Sequence, residues 1–365
     1  MRGQPKILII ANNDGGLLQF RGDLIKKMIE QRCEVFASCP NIEGRRSDIE
    51  KLSCTFIDTA VDRRGINPKT DLKLFLTYRK LLKVICPDLV ITYTIKPNVY
   101  GGFASRLAGI PYASNITGLG TAFQNRGILK TFVTFLYKVS LRRAKVIFFE
   151  NSENRNVFLR MKICRQKQTK LLHGAGVNLE RFFYAPYPQE EATHFLFMGR
   201  IMAEKGVNEL FAAMERLHAD GENCVLDVLG RYEEDYCDRI DRYQKAGWLK
   251  YHGYQEDVQS YISKAHCFVL PSWHEGMANT NLECAAMGRP VITSNIPGCR
   301  EAVIEGKSGY LCKARDADSV YQAMKTFMKL SREEREAMGK EGRQHMEAVF
   351  DKEKVVMETM KGLGI

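Results

Sequence analysis

Two pairs of residues in this chain have types and spacing suited to chemistry. Glu275 and Glu283 stand eight positions apart in "HEGMANTNLECAAMGRP", and Arg200 and Lys205 stand five apart in "FMGRIMAEKG". A β-rich run leads into each, "HCFVLPS" before the glutamates and "HFLFMGR" up to the arginine. Two cations at a strand's carboxyl end can hold a diphosphate and neutralise charge that develops on it as a leaving group. From Asn279 or Thr280 the pattern turns helical, with Leu282, Ala285, Ala286 and Met287 apolar and Gly288-Arg289-Pro290 as the stop. Glu275 therefore precedes the helix and Glu283 lies about one turn inside it, at different depths of one pocket. Carboxylates so placed can accept from the vicinal hydroxyls of ribose or hexose. Gly276, Ala278, Asn279 and Thr280 are small enough to let N–H groups at the helix start approach a phosphate or sugar. The plainer reading makes Glu275 a cap, Glu283 a solvated helix position, and the two cations surface charges.

The elements that must position these residues alternate along the whole chain. "KILIIAN", "CEVFASC", "CTFIDT", "DLVITYT", "PYASNI" and "VIFFE" read as strands separated by helical patterns, and the series restarts after "HGAGVNLERFF" with "HFLFMGR", "CVLDVLG", "WLKYHGY", "HCFVLPS", "PVITSN" and "GYLCK". Such alternation predicts α/β architecture, two Rossmann-like, doubly wound parallel sheets in series. The expected division is 1–172 and 173–345, with a terminal helix over 346–365 packing back on the first domain. Ligands of open α/β sheets sit beyond the strand carboxyl ends, so the chemistry is expected in a cleft between the two domains.

Composition narrows the function. The chain has 365 residues, 45% of them hydrophobic, enough for two cores. Its apolar run at Ile7–Ala11 is too short for a signal peptide, and no segment reaches the roughly 18 apolar residues of a membrane span. A cytosolic protein is expected. Eleven cysteines without a CxxC pair indicate neither disulfides nor zinc. The net charge of +11 is divided unevenly: residues 1–172 hold 30 Lys+Arg against 13 Asp+Glu, residues 173–365 hold 24 against 30. A basic half calls for a polyanionic partner. Nucleic acid is disfavoured, because the basic residues are not interleaved with aromatics beyond the ordinary core set. "GKS" at Gly306–Ser308 lacks the upstream glycine of a phosphate loop, and Asp316 and Asp318 in "RDADS" sit where a helix N-cap belongs.

In these motifs the chain resembles the retaining glycosyltransferases of family 4, which have the GT-B fold. The run from Glu275 to Glu283 with "CAAMGRPVITSNIPGCRE" is similar to that family's paired-glutamate signature, "GRIMAEKG" to its Arg and Lys phosphate motif, and "GAGVNLERF" to the opening of its second domain. The resemblance implies that Glu283 binds the ribose of a nucleotide sugar and that Glu275 contacts the transferred sugar. Arg200 and Lys205 would hold the donor diphosphate, making Arg200, Lys205 and Glu275 the catalytic set. It further implies donor contacts from the loop Gly276, Met277, Ala278, Asn279 and Thr280, from Gly15 and Gly16 after the first strand, and from Gly199, Gly230 and Tyr254 at strand ends. No metal and no cofactor is expected; the donor is a nucleotide diphosphate sugar, UDP-linked. Many members carry a histidine where this chain has Thr117 and Gly118 in "ASNITGLGTAF". "TGLG" there is similar to a subgroup acting on polyprenyl-diphosphate-linked sugars, including enzymes that add N-acetylgalactosamine in bacterial glycan assembly.

On this reading the basic half binds a lipid-linked saccharide acceptor beside an anionic membrane surface, through Arg63, Arg64, Lys96, Asn98, Thr117 and Gly118. The segment "NRGILKTFVTFLYKVSLRRAK" reads as a basic amphipathic helix, with Phe132 and Phe135 among its apolar residues and Lys130, Lys138, Arg142 and Arg143 among its charges. The protein would then lie peripherally on the inner face of the cell membrane. Other readings kept open are a two-domain sugar-nucleotide epimerase or phosphorylase, and a non-catalytic glycan- or lipid-binding protein.

Overall fold

The computed structural model describes residues 3–62, 65, 67–119 and 127–365. The chain divides into two compact units, residues 1–175 with 353–365, and residues 176–352.

In the first unit the elements run β1 (Lys6–Ile10), α1 (Asp14–Glu30), β2 (Glu34–Cys39), α2 (Arg46–Glu50), β3 (Thr55–Asp58), α3 (Pro68–Ile85) and β4 (Leu89–Tyr93). A π-helical turn, Pro97–Gly101, then leads into α4 (Gly102–Ala108), β5 (Tyr112–Ile116), α5 (Ile128–Leu141), β6 (Val146–Phe149), α6 (Ser152–Arg160) and β7 (Thr169–Leu171). Among the described residues the strands form one parallel sheet, ordered β3-β2-β1-β4-β5-β6-β7. Its central strands are continuous apolar runs because helices cover both faces: Ile7 to Ile10 are all buried. On one face Leu17, Leu24 and Ile25 of α1 pack, on the other Leu74, Tyr78 and Leu82 of α3. Asn67 caps α3 by accepting from the Lys69 N–H, and Pro68 opens it with a fixed φ. The chain reverses direction across the sheet between β1 and β4, so their carboxyl ends are open to a ligand.

The second unit repeats the pattern with β8 (Thr193–Met198), α7 (Val207–Ala219), β9 (Cys224–Leu229), α8 (Cys237–Lys245), β10 (Leu249–Gly253), α9 (Gln259–Lys264) and β11 (Cys267–Leu270). After these come α10 (Asn279–Ala286), β12 (Val291–Ser294), β13 (Gly309–Cys312), α11 (Ala317–Met328) and α12 (Arg332–His345). The sheet order is β10-β9-β8-β11-β12-β13, again parallel. Here the reversal falls between β8 and β11, the two strands that precede Arg200/Lys205 and Glu275/Glu283. Neighbouring strands thus deliver both pairs to one end of one sheet. At the start of β11, His266 is buried and its Nδ1 accepts from the His194 N–H at 3.1 Å, which requires a neutral ring. Asp316 caps α11 by accepting from the Ser319 N–H, as its position before a helix predicts.

The boundaries differ from the expected ones in one informative place. The helix expected over 346–365 is interrupted at Asp351, where ψ is 122°. Met346 and Phe350 continue α12 as a π turn and are buried in the second unit's core. Only α13 (Lys352–Leu363) crosses to the first unit, where Val356, Met360 and Leu363 join the core around α1. Lys145 Nζ donates to the Leu363 carbonyl at 2.6 Å and fastens that end.

Candidate functional site

Lys205 reaches its place through a 3-10 turn, Ala203–Lys205, so α7 starts at Val207 rather than at Lys205. Gly206 makes the turn possible: its φ is +75°, and a Cβ there would lie 2.1 Å from the Pro271 carbonyl oxygen. The Trp273 N–H donates to the Glu204 carbonyl at 2.9 Å, tying the turn to the loop after β11. Across that junction Lys205 Nζ meets Glu275 Oε1 at 2.5 Å, and the Ser272 hydroxyl donates to the same oxygen at 2.9 Å. Both charged side chains are mostly buried, 19% and 13% exposed, where an ion pair is screened less than at the surface.

The rest of the predicted set divides. Glu283 is 7% exposed, so it is not a solvated helix position. Glu275 is not a cap either, because Ala278 occupies that place ahead of α10. Arg200 is half exposed and lies 3.7 Å from Glu233, apart from the Lys205–Glu275 contact. In the Gly276 to Thr280 loop, Met277 and Ala278 are buried core residues. The Ala278 amide is not presented to a ligand as expected, because it donates to the Gly298 carbonyl at 2.7 Å. Gly298, at φ +86°, fits only without a side chain, since a Cβ would lie 2.6 Å from the Gly276 oxygen. Asn279 and Thr280 open α10, where first-turn N–H groups lack helical acceptors. The Asn279 Oδ1 beside them is buried with no hydrogen-bond partner among the described residues.

At the outer strands Gly230 lies against the Gly199 carbonyl, 1.8 Å from where its Cβ would be, so its lack of a side chain serves backbone packing. Tyr254 is exposed beyond β10, with the Arg231 guanidinium 4.4 Å from its ring centroid. Arg231 went unnoticed in the sequence, where nothing marks it.

In the first unit the glycines at α1 have a different neighbour from the one expected. The Gly16 N–H donates to the Asn13 side chain, and the space above Gly15 is taken by the Glu43 carboxylate, which accepts from Asn13 Nδ2 at 2.6 Å. Buried Asp14 fixes that loop by accepting the N–H groups of Ile42, Glu43 and Arg45. Burial, the largest single influence, would raise the Asp14 pKa, but the N–H groups of Arg45, Glu43, Asp14 itself and Gly15 together outweigh it and hold the carboxyl below its ordinary value. The space beside Gly15 and Gly16 is thus occupied by the Asn13 and Glu43 side chains.

At the carboxyl ends of β1, β4 and β5 lies a cavity of 230 Å³ that brings together three of the residues expected to bind an acceptor, Lys96, Thr117 and Gly118, with Asn12 and Thr94. Asn98 is not among them. It is fully buried, accepting from Thr92 at 2.6 Å and donating to the Asn115 carbonyl at 2.8 Å, and so is a strut between strands. Arg63 and Arg64 lie outside the described residues. On α5, Tyr137 and Leu141 face the core while Phe132 and Phe135 face outward, 49% and 60% exposed. No cluster of three metal-ligating side chains occurs among the described residues, and no helix there is long and apolar enough to cross a membrane.

Comparison with known proteins agrees with this arrangement. Residues 182–345 match the family model described as glycosyl transferases group 1, and residues 6–151 match the one described as glycosyl transferase 4-like. The chain is 27% identical over 340 residues to the N,N'-diacetylbacillosaminyl-diphospho-undecaprenol alpha-1,3-N-acetylgalactosaminyltransferase of Campylobacter jejuni, covering 88% of this chain and 89% of that one. It is 27% identical over 280 residues to the UDP-Gal:alpha-D-GlcNAc-diphosphoundecaprenol alpha-1,3-galactosyltransferase of Escherichia coli, covering 72% and 71%. Among solved structures, Anabaena HepE in complex with UDP and glucose superposes with a TM-score of 0.81 at 16% identity, covering 99% of this chain and 100% of that one.

Proposed function

Because the chain belongs to the GT-B glycosyltransferases, we propose that it moves a sugar, an N-acetylhexosamine, from a UDP-linked donor to a saccharide on polyprenyl diphosphate, with retention at the anomeric carbon. The product would serve bacterial surface polysaccharide or glycan assembly. The observation that carries the donor half is the Lys205–Glu275 pair beside the start of α10, at the reversal point of the second sheet. A diphosphate would draw the ammonium away from Glu275, leaving the carboxylate to accept from hydroxyls of the transferred sugar. As the bond from the anomeric carbon to phosphate oxygen breaks, Lys205, Arg200 and the helix start take up the negative charge, the work a metal does in other transferases. The acceptor hydroxyl attacks on the same face and gives its proton to the departing phosphate. Glu283 would hold the ribose and Tyr254 would stack on the base.

The acceptor half is supported by the two lipid-diphosphate relatives and by the basic first unit. The same reading puts the protein against the inner face of the membrane, with outward Phe132 and Phe135 and exposed Lys138 and Arg142 on the anionic lipid. Exchanging both phenylalanines for serine should reduce sedimentation with anionic vesicles several-fold while leaving the fold intact; unchanged sedimentation would remove α5 from the membrane contact. For the activity itself, thermal-shift screening of UDP-, GDP- and dTDP-sugars should single out a UDP-sugar, and transfer to lipid-linked saccharides should follow. Donor turnover without any acceptor, or stabilisation by no UDP-sugar, would refute the proposal.

A further inference from the structure

Several contacts join the turn that carries Lys205 to the loop that carries Glu275. Donor binding as described above opens the shortest of them, the Lys205–Glu275 ion pair. His274 Nε2 lies 3.3 Å from Glu204, but both side chains are partly exposed, where such a pair holds little. Two further contacts end on Trp273. Its backbone N–H donates to the Glu204 carbonyl, and its indole N–H donates to Glu209 Oε1 at 3.0 Å. The Arg315 guanidinium, from the turn ahead of α11, lies 4.3 Å from the centre of the same ring system.

Glu209 is a poor choice for stability alone. It stands in the first turn of α7, where a carboxylate complements the partial positive charge of the helix start. An exposed carboxylate would do that without giving up water. Glu209 is 9% exposed, and its Oε2 is buried with no hydrogen-bond partner among the described residues. A buried acceptor left empty is costly, more so on a charged group. That cost is offset by what the other oxygen does: it fixes Trp273, two positions before Glu275. The hydrogen bond thus runs from the helix that follows Lys205 to the loop that precedes Glu275, and admitting a diphosphate does not require it to open.

Resting on the transferase reading above, we propose that Glu209 is a positioning residue for the transfer step. Through Trp273 it holds the loop after β11, and with it the Glu275 carboxylate, at its working distance from Lys205 once the donor has parted the two. The hydrogen-bonding oxygen of Glu209 does this, and its charge does not.

Transfer kinetics of Glu209→Ala, Glu209→Gln, Trp273→Phe and the Ala/Phe double variant test this. Glu209→Ala and Trp273→Phe should each lower kcat about tenfold to a hundredfold, the effect of a small misplacement beside the reacting atoms, with KM for the UDP-sugar within about threefold of wild type. The double variant should be no slower than the slower single one, because both changes remove the same hydrogen bond. Glu209→Gln keeps an oxygen that accepts from the indole and should bring kcat back to within about threefold of wild type, whereas a role through helix charge would be lost with it. Trp273→Phe keeps an aromatic ring in place and serves should Glu209→Ala misfold. A second readout needs no turnover: the chain has two tryptophans, Trp248 and Trp273, so Trp273→Phe assigns the two indole N–H signals in an NMR spectrum. The Trp273 signal should stay protected from solvent exchange when the UDP-sugar is added, lose that protection in Glu209→Ala and keep it in Glu209→Gln. The proposal is overturned if the single variants keep wild-type kcat, if their effects multiply, if Glu209→Gln is as slow as Glu209→Ala, or if the UDP-sugar strips the protection in wild-type protein. Failure of the transferase reading would show separately, as absence of transfer by wild-type protein to any lipid-linked saccharide.

Discussion

At the scale of single residues, Lys205 is where charge, burial and position coincide. Lys205→Ala should lower kcat by about two to three orders of magnitude, since removing one donor to a developing oxyanion costs roughly 3–4 kcal/mol. A variant that keeps wild-type turnover would move the charge stabilisation to Arg200 and the helix start. His266 gives a prediction about acid stability. Burial, then the charges of His194 and Arg335, push its pKa down to about 4, whereas an unfolded chain would bind a proton near 6.5. Stability should therefore fall as pH drops from about 6.5 to 4, by up to roughly 3 kcal/mol at 1.36 kcal/mol per unit. Denaturant titrations should show that slope, and His266→Gln should flatten it. That Lys205 and Glu275 come to one sheet end was legible in the sequence, because each follows a strand run; their contact was not. Asn98 was misread, since one amide looks like another until its neighbours are known. Glu43 and Glu209 left no signal, because each matters through a partner more than twenty positions away.

At the scale of elements, the sequence displayed strands and helices through periodicity, and every strand read from it is present, while the short edge strand β7 gave no signal. It could not display the short connections. The 3-10 turn before α7 and the π turn before α4 have no period of their own, and each places a partly buried, ion-paired lysine, Lys205 or Lys96. The turn at Gly206 is the more exposed to test. Gly206→Ala forces a Cβ against the Pro271 carbonyl at positive φ, so the turn has to open. It should cost about 2 kcal/mol or more in unfolding free energy. The donor-induced thermal shift should fall with it, because Lys205 loses its register with Glu275. An alanine variant with normal stability and normal donor response would show that the loop after β11 can yield.

At the scale of the whole molecule, two units carry separate cores of comparable make-up, yet the chain passes from the first to the second and back again. Charge asymmetry placed the turning point near residue 172, a few positions from the observed one, because the anionic second half begins where the second unit does. What composition could not reveal was the return of α13. Met360→Ala should destabilise the first unit by about 2–5 kcal/mol, the usual cost of deleting a buried methionine side chain. Urea unfolding followed in the two units separately should place that loss in the first and leave UDP-sugar binding by the second in place; a loss confined to the second unit would contradict the docking.

The return of α13 also bears on how the protein is made. Residues 1–175 leave the ribosome before Val356, Met360 and Leu363 exist, so the first sheet emerges with an apolar surface around α1 that its own segment cannot cover. That surface must wait through synthesis of the entire second unit, on the order of ten seconds or more at about 5–20 residues per second. The half of the protein assigned to the acceptor is thus begun first and completed last.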